Sequence, residues 1–152
     1  MIYTPLTKKA LKLCFEAHKD QTDKTGLPYV FHPFHLAEQM PDELSTVCAL
    51  LHDVVEDTEY TFSDLLDMGF PESVIEVLKL LTHAEDVPYM EYVQALSGNK
   101  TARQVKLADL AHNSDLSRMD ERDIDEWAIK RTEKYKAAIR LLQGENGDTV
   151  NA

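Results

Sequence analysis

The sequence predicts an all-α, single-domain protein, and three observations support this fold class. Apolar residues recur at helical spacing along most of the 152-residue chain. Polar and apolar residues nowhere alternate between turn residues in the way that is typical of paired strands. The length is that of one domain, which we place at residues 1–143, followed by a flexible tail at 144–152. The segments predicted as helices are 5–20, about 32–39, 41–57, 61–68, 71–82, 88–96, 101–118 and 123–143.

Particular residues mark where these helices begin and end. Thr4 is placed to cap the first helix, and Pro5 occupies its first position, where the missing N–H costs nothing. Gly26 and Pro28 mark the polar loop that follows. Pro33 lies near the start of the second helix. Together these signals divide the chain into helices joined by short connections.

The stretch from 47 to 58 is predicted to lie at the centre of the fold. An apolar run leads into one histidine and three carboxylates, namely His52, Asp53, Glu56 and Asp57. On a continuous helix these four side chains would share a wedge of roughly 140°, with aliphatic side chains covering the rest. A helix that is apolar on its other faces is normally buried. Buried carboxylates repel one another and are costly to desolvate, so the pattern indicates a bound cation.

Imidazole and carboxylate together are typical ligands of divalent transition metals such as Mn, Fe or Zn. His52 and Asp53 are adjacent and can bracket one ion. Two other places offer further ligands: His32, just before Pro33, and Asp109, within a second largely apolar segment. We therefore predict a metal site built from His32, His52, Asp53 and Asp109, with coordination positions left for water and substrate.

The charge of the chain limits its partners. A net charge of −11 argues against a nucleic-acid polymer or an anionic membrane. A phosphorylated ligand would have to be attracted locally, by a metal or by a few lysines and arginines. No apolar run approaches membrane-spanning length, and the N-terminus lacks the apolar region of a signal peptide. Cys14 and Cys48 lack metal-type spacing and are predicted to be buried, reduced thiols, so we expect a cytoplasmic protein.

Four motifs occur in order between residues 28 and 113, within a resemblance to a known family that covers about residues 10–143. They are Pro28-Tyr29-Val30-Phe31-His32-Pro33, His52-Asp53-Val54-Val55-Glu56-Asp57-Thr58, Val105-Lys106-Leu107-Ala108-Asp109 and His112-Asn113. A His-Asp pair alone is a weak signal, but the four together resemble the HD-domain metal-dependent phosphohydrolases, and specifically the hydrolase domain of the RelA/SpoT alarmone enzymes. With no further domain, the chain is similar to the stand-alone small alarmone hydrolases.

This resemblance implies an HD-type helical bundle, a Mn²⁺ ion, and a small-molecule nucleotide as substrate. The implied reaction is hydrolysis of the 3′-pyrophosphate of guanosine tetra- or pentaphosphate. The four metal ligands predicted above keep that role, while Glu56 and Asp57 orient and deprotonate the attacking water. Glu56 lies one helical turn beyond His52, within reach of that water as a general base. The implied substrate-binding residues are Lys24, Asn113, Arg131 and Tyr135.

Three positions depart from the family pattern. An arginine that packs against the guanine base in the family is Asp23 here, a second arginine is Leu110, and a basic residue after Asn113 is Asp115. The metal-binding motifs are kept, while three basic positions near the nucleotide are lost. The resemblance therefore predicts hydrolysis more strongly than it predicts guanosine as the base.

Two alternatives remain open from the sequence. An HD phosphohydrolase acting on another nucleotide, such as an adenine nucleotide, would account for Asp23, Leu110 and Asp115. A non-catalytic HD module that only binds a nucleotide is the second, but such a module has no need of both Glu56 and Asp57. The products formed from a panel of nucleotides distinguish the three hypotheses.

Overall fold

A computed structural model describes the backbone of residues 1–151 and the side chains of residues 1–144. Within that part the chain forms nine α-helices and two 3₁₀ turns, and the all-α prediction is confirmed. The only extended pairing described there is one isolated bridge between Thr22 and Pro28. The helices are α1 (Pro5–His18), α2 (Phe31–Glu38), α3 (Glu43–Leu51), α4 (Val54–Asp57), α5 (Phe62–Asp67), α6 (Glu72–Leu81), α7 (Tyr89–Leu96), α8 (Lys100–Asn113) and α9 (Glu126–Asn151).

Helix α3 lies at the centre of the bundle. It packs against α1, α2, α6 and α8, and every residue from Val47 to Leu51 is fully buried. The sequence explains this position, because the helix is apolar on all sides after its first turn. The other helices arrange their apolar faces around it, and the residues that follow Leu51 are thereby held deep within the protein.

Helix starts follow the capping residues. Thr4 and Thr7 form a reciprocal capping box at α1, with Pro5 at the first helical position as predicted. Asp42 caps α3 by accepting a hydrogen bond from the Ser45 N–H. Caps of this kind satisfy N–H groups that have no partner within the helix, so α1 and α3 begin at defined residues.

The predicted continuous helix from 41 to 57 is wrong in one respect that matters for function. Helix α3 ends at Leu51, and the short helix α4 begins only at Val54. Asp53 has φ −107° and ψ 0°, in the sparsely populated region between helix and strand. This break redirects Asp53, and the four polar side chains are not arranged as one helical wedge.

The segment predicted as a helix from 101 to 118 also ends early. Helix α8 stops at Asn113, and 3₁₀ turns at Leu116–Arg118 and Glu121–Asp123 lead into α9. The Asp115 side chain accepts a hydrogen bond from the Ser117 N–H and caps the first of these turns. The predicted tail, 144–152, falls almost entirely on residues whose side chains lie outside the described part, and its flexibility stays a prediction.

The loop between α1 and α2 is ordered by its own hydrogen bonds. The Asp23 carboxylate accepts bonds from the N–H groups of Thr25 and Leu27. Gly26 has φ +83°, a left-handed conformation that residues with a Cβ rarely adopt. The loop therefore holds Asp23 in a fixed position, where its carboxylate also accepts a hydrogen bond from Arg118.

Cys14 and Cys48 are free and buried, as predicted. Burial raises the pKa of each thiol to about 12, so both stay protonated at neutral pH. In the described part of the chain, no helix combines the length and apolarity needed to cross a membrane.

We expect Asp42→Ala to lower the free energy of unfolding by about 1 kcal/mol, because α3 loses its cap. Hydrogen bonds from Ser45 lower the pKa of Asp42 in the folded state. The stabilisation is therefore complete above the unfolded value of about 3.9 and is lost as the pH falls through the lower folded pKa. Urea unfolding across this pH range should show the difference from wild type shrinking in acid, whereas the exposed Asp86→Ala control should show little difference at any pH.

Candidate metal centre and nucleotide cavity

Three separate parts of the chain bring the predicted metal ligands together. His32 comes from the first turn of α2, His52 and Asp53 from the break after α3, and Asp109 from α8. His32 Nε2 lies 2.9 Å from Asp109 Oδ1, and His52 Nε2 lies 3.6 Å from the same oxygen. Ligand atoms of these three residues all lie within 4.8 Å of one another. Asp53 Oδ2 lies 3.0 Å from His52 Nε2, at the edge of the cluster.

The environment of His52 fits a bound cation. Its Nδ1 lies 2.7 Å from the Ala49 carbonyl oxygen, so Nδ1 carries a proton and donates it. Nε2 is buried and makes no hydrogen bond of good geometry to any described residue. In a neutral ring, its lone pair would face two carboxylates with nothing between them. Either a proton or a divalent metal ion at this point removes the repulsion, and the donor set of imidazoles and carboxylates suits such an ion.

The charges around His52 favour a positive group at Nε2. Burial lowers the pKa of His52, but the carboxylates of Asp53 and Asp109 outweigh burial and hold this pKa well above its usual range. Burial raises the pKa of Asp53, and His52 in turn keeps it below the ordinary value. A proton and a metal ion therefore compete for the same place.

His32 is oriented by a second histidine. Its Nδ1 lies 2.7 Å from His112 Nδ1, and the two rings stack with centroids 4.9 Å apart. Burial, followed by the nearby Arg118, lowers the pKa of His112 to about 4, so His112 is neutral at pH 7. In the tautomer in which His32 Nδ1 donates to His112, the Nε2 lone pair of His32 faces the cluster and is free for a cation.

Two residues that received no role from the sequence support the carboxylates. The Tyr29 hydroxyl donates to Asp53 Oδ2. The Lys106 ammonium donates to Asp109 Oδ2 at 2.9 Å. Burial raises the pKa of Asp109, but Lys106 and then the histidines hold it well below the ordinary value. Both carboxylates are therefore ionised and held in fixed orientations.

Glu56 and Asp57 lie on the solvent-exposed side of the cluster. Burial and then the charge of Asp53 raise the pKa of each carboxyl group. Glu56 also lines a cavity of about 150 Å³ together with His52, Asp53 and Asp109. A carboxylate with a raised pKa next to an imidazole–carboxylate cluster can accept a proton from water.

A larger cavity of about 290 Å³ lies beside the cluster. All four residues predicted to bind the substrate line it, namely Lys24, Asn113, Arg131 and Tyr135. Asn113 lines both cavities and donates a 3.0 Å hydrogen bond to Asp109 Oδ1. The predicted ligand and substrate residues therefore line two neighbouring cavities that share Asn113.

The three departures from the family pattern have different positions. Leu110 is 1% exposed and belongs to the hydrophobic core. Asp23 and Asp115 line the larger cavity, where Arg118 joins them. Arg118 Nη2 lies 3.2 Å from Asp23 Oδ2. Two acidic residues thus replace basic ones at the cavity wall, and an arginine elsewhere in the chain supplies a positive charge.

Sequence reasoning missed Tyr29, Lys106 and Arg118 as functional candidates. Lys106 lies three residues before Asp109 on α8, a spacing that places side chains on one helical face, so it could have been identified. Tyr29 precedes α2, and its partner Asp53 lies 24 residues away. Arg118 has no such local signal, because its partner Asp23 lies 95 residues away.

Comparisons with known proteins agree with this geometry. No protein-family model matches the chain. The chain is 30% identical to the guanosine-3′,5′-bis(diphosphate) 3′-pyrophosphohydrolase MESH1 of Xenopus tropicalis, over 93% of this chain and 87% of that protein. It is also 30% identical to a GTP pyrophosphokinase of Streptomyces coelicolor, over 91% of this chain. The alignment spans only 18% of that longer relative.

A solved structure shares the fold. It comes from work on a metazoan ortholog of SpoT that hydrolyzes ppGpp, and it matches with a TM-score of 0.72. The match covers 93% of this chain and 87% of the other, at 22% identity. The predicted HD-type helical bundle is therefore confirmed as the fold.

The helical fold and the His-Asp cluster define a class, the HD-type hydrolases that hold a divalent metal ion. Within this class, the chain belongs to the family of guanosine-3′,5′-bis(diphosphate) 3′-pyrophosphohydrolases of the MESH1 type. The resemblance inferred from the four motifs is confirmed.

We expect Asp109→Asn to weaken divalent-metal binding by more than about 100-fold, because even the loss of an outer partner of a metal ligand costs about 10–100-fold. Isothermal titration of the metal-free protein with Mn²⁺ measures the affinity, and circular dichroism verifies that the variant is folded. Asp67→Asn removes an exposed carboxylate on α5 and should bind as wild type does. Equal affinity of Asp109→Asn and Asp67→Asn would contradict the assignment of Asp109 as a ligand.

Proposed function

We propose that this protein is a Mn²⁺-dependent hydrolase that removes the 3′-pyrophosphate from guanosine-3′,5′-bis(diphosphate). The observation that carries the proposal is the junction at Asn113, where a cluster of His32, His52 and Asp109 adjoins a cavity of about 290 Å³. That volume lies near the lower end of the range for small-molecule sites. Relatives that bear this activity in their names align over nearly the whole chain.

In the proposed site, His32, His52, Asp53 and Asp109 hold the metal ion. When bound, a divalent ion supplies Lewis-acid polarisation of a phosphoryl oxygen and acidifies water near neutral pH. The buried contacts of Tyr29 and the Ala49 carbonyl hold Asp53 and His52 in place before any ion arrives. The mixed nitrogen and oxygen donor set suits manganese as it suits iron or zinc, and the family resemblance favours manganese among them.

The remaining roles fall to residues on two sides of the site: one side activates water, and the other binds the phosphates. Glu56, with Asp57 beside it, accepts the proton of the attacking water, which its raised pKa favours. Lys24 and Arg131, on the wall of the larger cavity, neutralise the negative charge of the departing group. Asn113 and Tyr135 contact the nucleotide between these two sides. The metal ion, Lys24 and Arg131 would attract an anionic substrate locally, although the whole protein has a net charge of −11.

One alternative substrate is supported by a specific observation. Asp23 and Asp115 add negative charge to the cavity wall, which would favour a nucleotide with another base or with fewer phosphates. This alternative keeps the same metal ion and water chemistry. The cytoplasmic location also stays a prediction, supported by the two free, buried cysteines.

We expect Glu56→Gln to lower kcat by about 100-fold to 10,000-fold while Mn²⁺ affinity is kept, because general-base catalysis contributes rate enhancements of this size. Stopped assays of pyrophosphate release give kcat, and calorimetry gives the metal affinity. Glu59→Gln, an exposed change on the same part of the chain, should leave both unchanged. A Glu56→Gln protein with wild-type kcat would exclude Glu56 as the base.

A nucleotide panel tests the reaction itself. We expect the Mn²⁺-loaded protein to release pyrophosphate from guanosine-3′,5′-bis(diphosphate) faster than from its adenosine counterpart, with ion-exchange chromatography identifying the products. A preference for the adenosine compound would support the alternative nucleotide. Release of orthophosphate from nucleoside monophosphates would replace the pyrophosphohydrolase assignment, and tight binding without turnover would support the non-catalytic module.

A further inference from the structure

Arg118 is held at the wall of the larger cavity by two contacts in the plane of its guanidinium group. Nη1 donates a 2.8 Å hydrogen bond to the His112 carbonyl oxygen, and Nη2 donates a 3.2 Å bond to Asp23 Oδ2. The side chain is 21% exposed. Because both tethers are attached at the edge of the group, the flat faces of the guanidinium are left free of these two contacts.

Two acidic residues help to position Arg118: one caps the turn that contains it, and the other forms an ion pair with it. Asp115 caps the 3₁₀ turn Leu116–Arg118 through the Ser117 N–H. Asp23 is fixed by hydrogen bonds from Thr25 and Leu27 and holds the guanidinium directly. The hydrogen bonds of Ser117 lower the pKa of Asp115. Burial raises the pKa of Asp23, but Thr25, Leu27 and Arg118 outweigh it and lower that pKa. Both carboxylates are therefore ionised at neutral pH.

We propose that Arg118 stacks its guanidinium face on the purine base of the bound nucleotide, that Asp23 positions it, and that this pair determines base specificity. The inference rests on the proposed function for the identity of the substrate. A planar cation fixed at its edges is well suited to stacking on a flat π-system.

The local charge separates the base from the phosphates. A phosphate group at Arg118 would lie beside the carboxylate of Asp23, 3.2 Å from Nη2, with Asp115 on the same cavity wall, and would be repelled by both. A neutral base meets no such repulsion. Lys24 and Arg131 line the same cavity, and no carboxylate is described within ion-pair distance of either among residues 1–144, so they remain available for phosphate. The nucleotide therefore lies with its base against Arg118.

The test compares Arg118→Ala, Arg118→Lys and Arg122→Ala in the Mn²⁺-loaded protein. Arg122 lies in the next 3₁₀ turn, with an exposed side chain, and provides a matched control. Steady-state kinetics with guanosine-3′,5′-bis(diphosphate) give KM and kcat, and calorimetry gives the Kd of guanosine 3′,5′-bisphosphate. We expect Arg118→Ala to raise KM and Kd about tenfold, the size of a lost base-stacking contact, and to leave kcat unchanged.

Two further measurements separate stacking from charge. Arg118→Lys keeps the charge but loses the planar face, so we expect KM to rise nearly as far as with Ala. Inhibition by inorganic pyrophosphate should be the same in wild type and Arg118→Ala, because pyrophosphate has no base. Full rescue by Lys, or weakened pyrophosphate inhibition in Arg118→Ala, would overturn the stacking role in favour of a phosphate contact.

A double-mutant cycle tests the positioning role of Asp23. We expect Asp23→Asn to raise KM with little change in kcat, and the double variant with Arg118→Ala to show no further rise beyond Arg118→Ala alone. Additive effects would show that Asp23 acts independently and would overturn the pair.

The outcomes also separate this inference from the proposed function. If wild type shows no turnover but binds guanosine 3′,5′-bisphosphate in an Arg118-dependent way, the proposed function fails and the inference stands. If wild type turns over and Arg118→Ala has the same KM, the inference alone fails. Absence of both turnover and bisphosphate binding in wild type overturns both.

Discussion

The buried cluster of His32, His52 and Asp109, with Asp53 at its edge, imposes the constraint on which the rest of the structure depends. Removing two carboxylates and two imidazoles from water is unfavourable unless opposite charges compensate for it. Lys106 provides part of that compensation through a 2.9 Å contact with Asp109. The remainder requires a positive group between the histidines and the carboxylates, which is the position that a divalent metal ion would take. Helices α2, α3 and α8 pack together in the arrangement that holds these groups at fixed distances.

The break between α3 and α4 separates the functions of neighbouring residues. Had the helix continued through 57, four polar side chains would have shared one face. Instead, the unusual backbone at Asp53 leaves His52 and Asp53 within the buried cluster, while Glu56 and Asp57 lie on its exposed side. Dihedral angles in this sparsely populated region occur often in active sites. His52 and Asp53 are thereby placed to bind an ion, while the more accessible carboxylate of Glu56 can contact water.

An acidic protein can attract an anionic ligand only if positively charged side chains are concentrated at the binding site. Lys24, Arg118 and Arg131 line one cavity, while the chain as a whole has eleven more negative than positive charges. Arg118 forms an ion pair with Asp23 at the cavity wall, and the pair as a whole carries little net charge. The wall can thus contact an uncharged part of a ligand and leave its phosphates to Lys24 and Arg131.

The sequence by itself determined the helical class, most helix starts, the histidines and carboxylates that converge in the cluster and four residues that line the larger cavity. These features depend on regularities over three or four residues, such as the Thr4–Thr7 cap, or on motifs whose chemistry is specific. Tertiary structure alone decided the break at Asp53 and the pairing of Asp23 with Arg118. Packing overrides helix propensity where a buried group must be redirected, and no local pattern specifies a contact between side chains 95 residues apart.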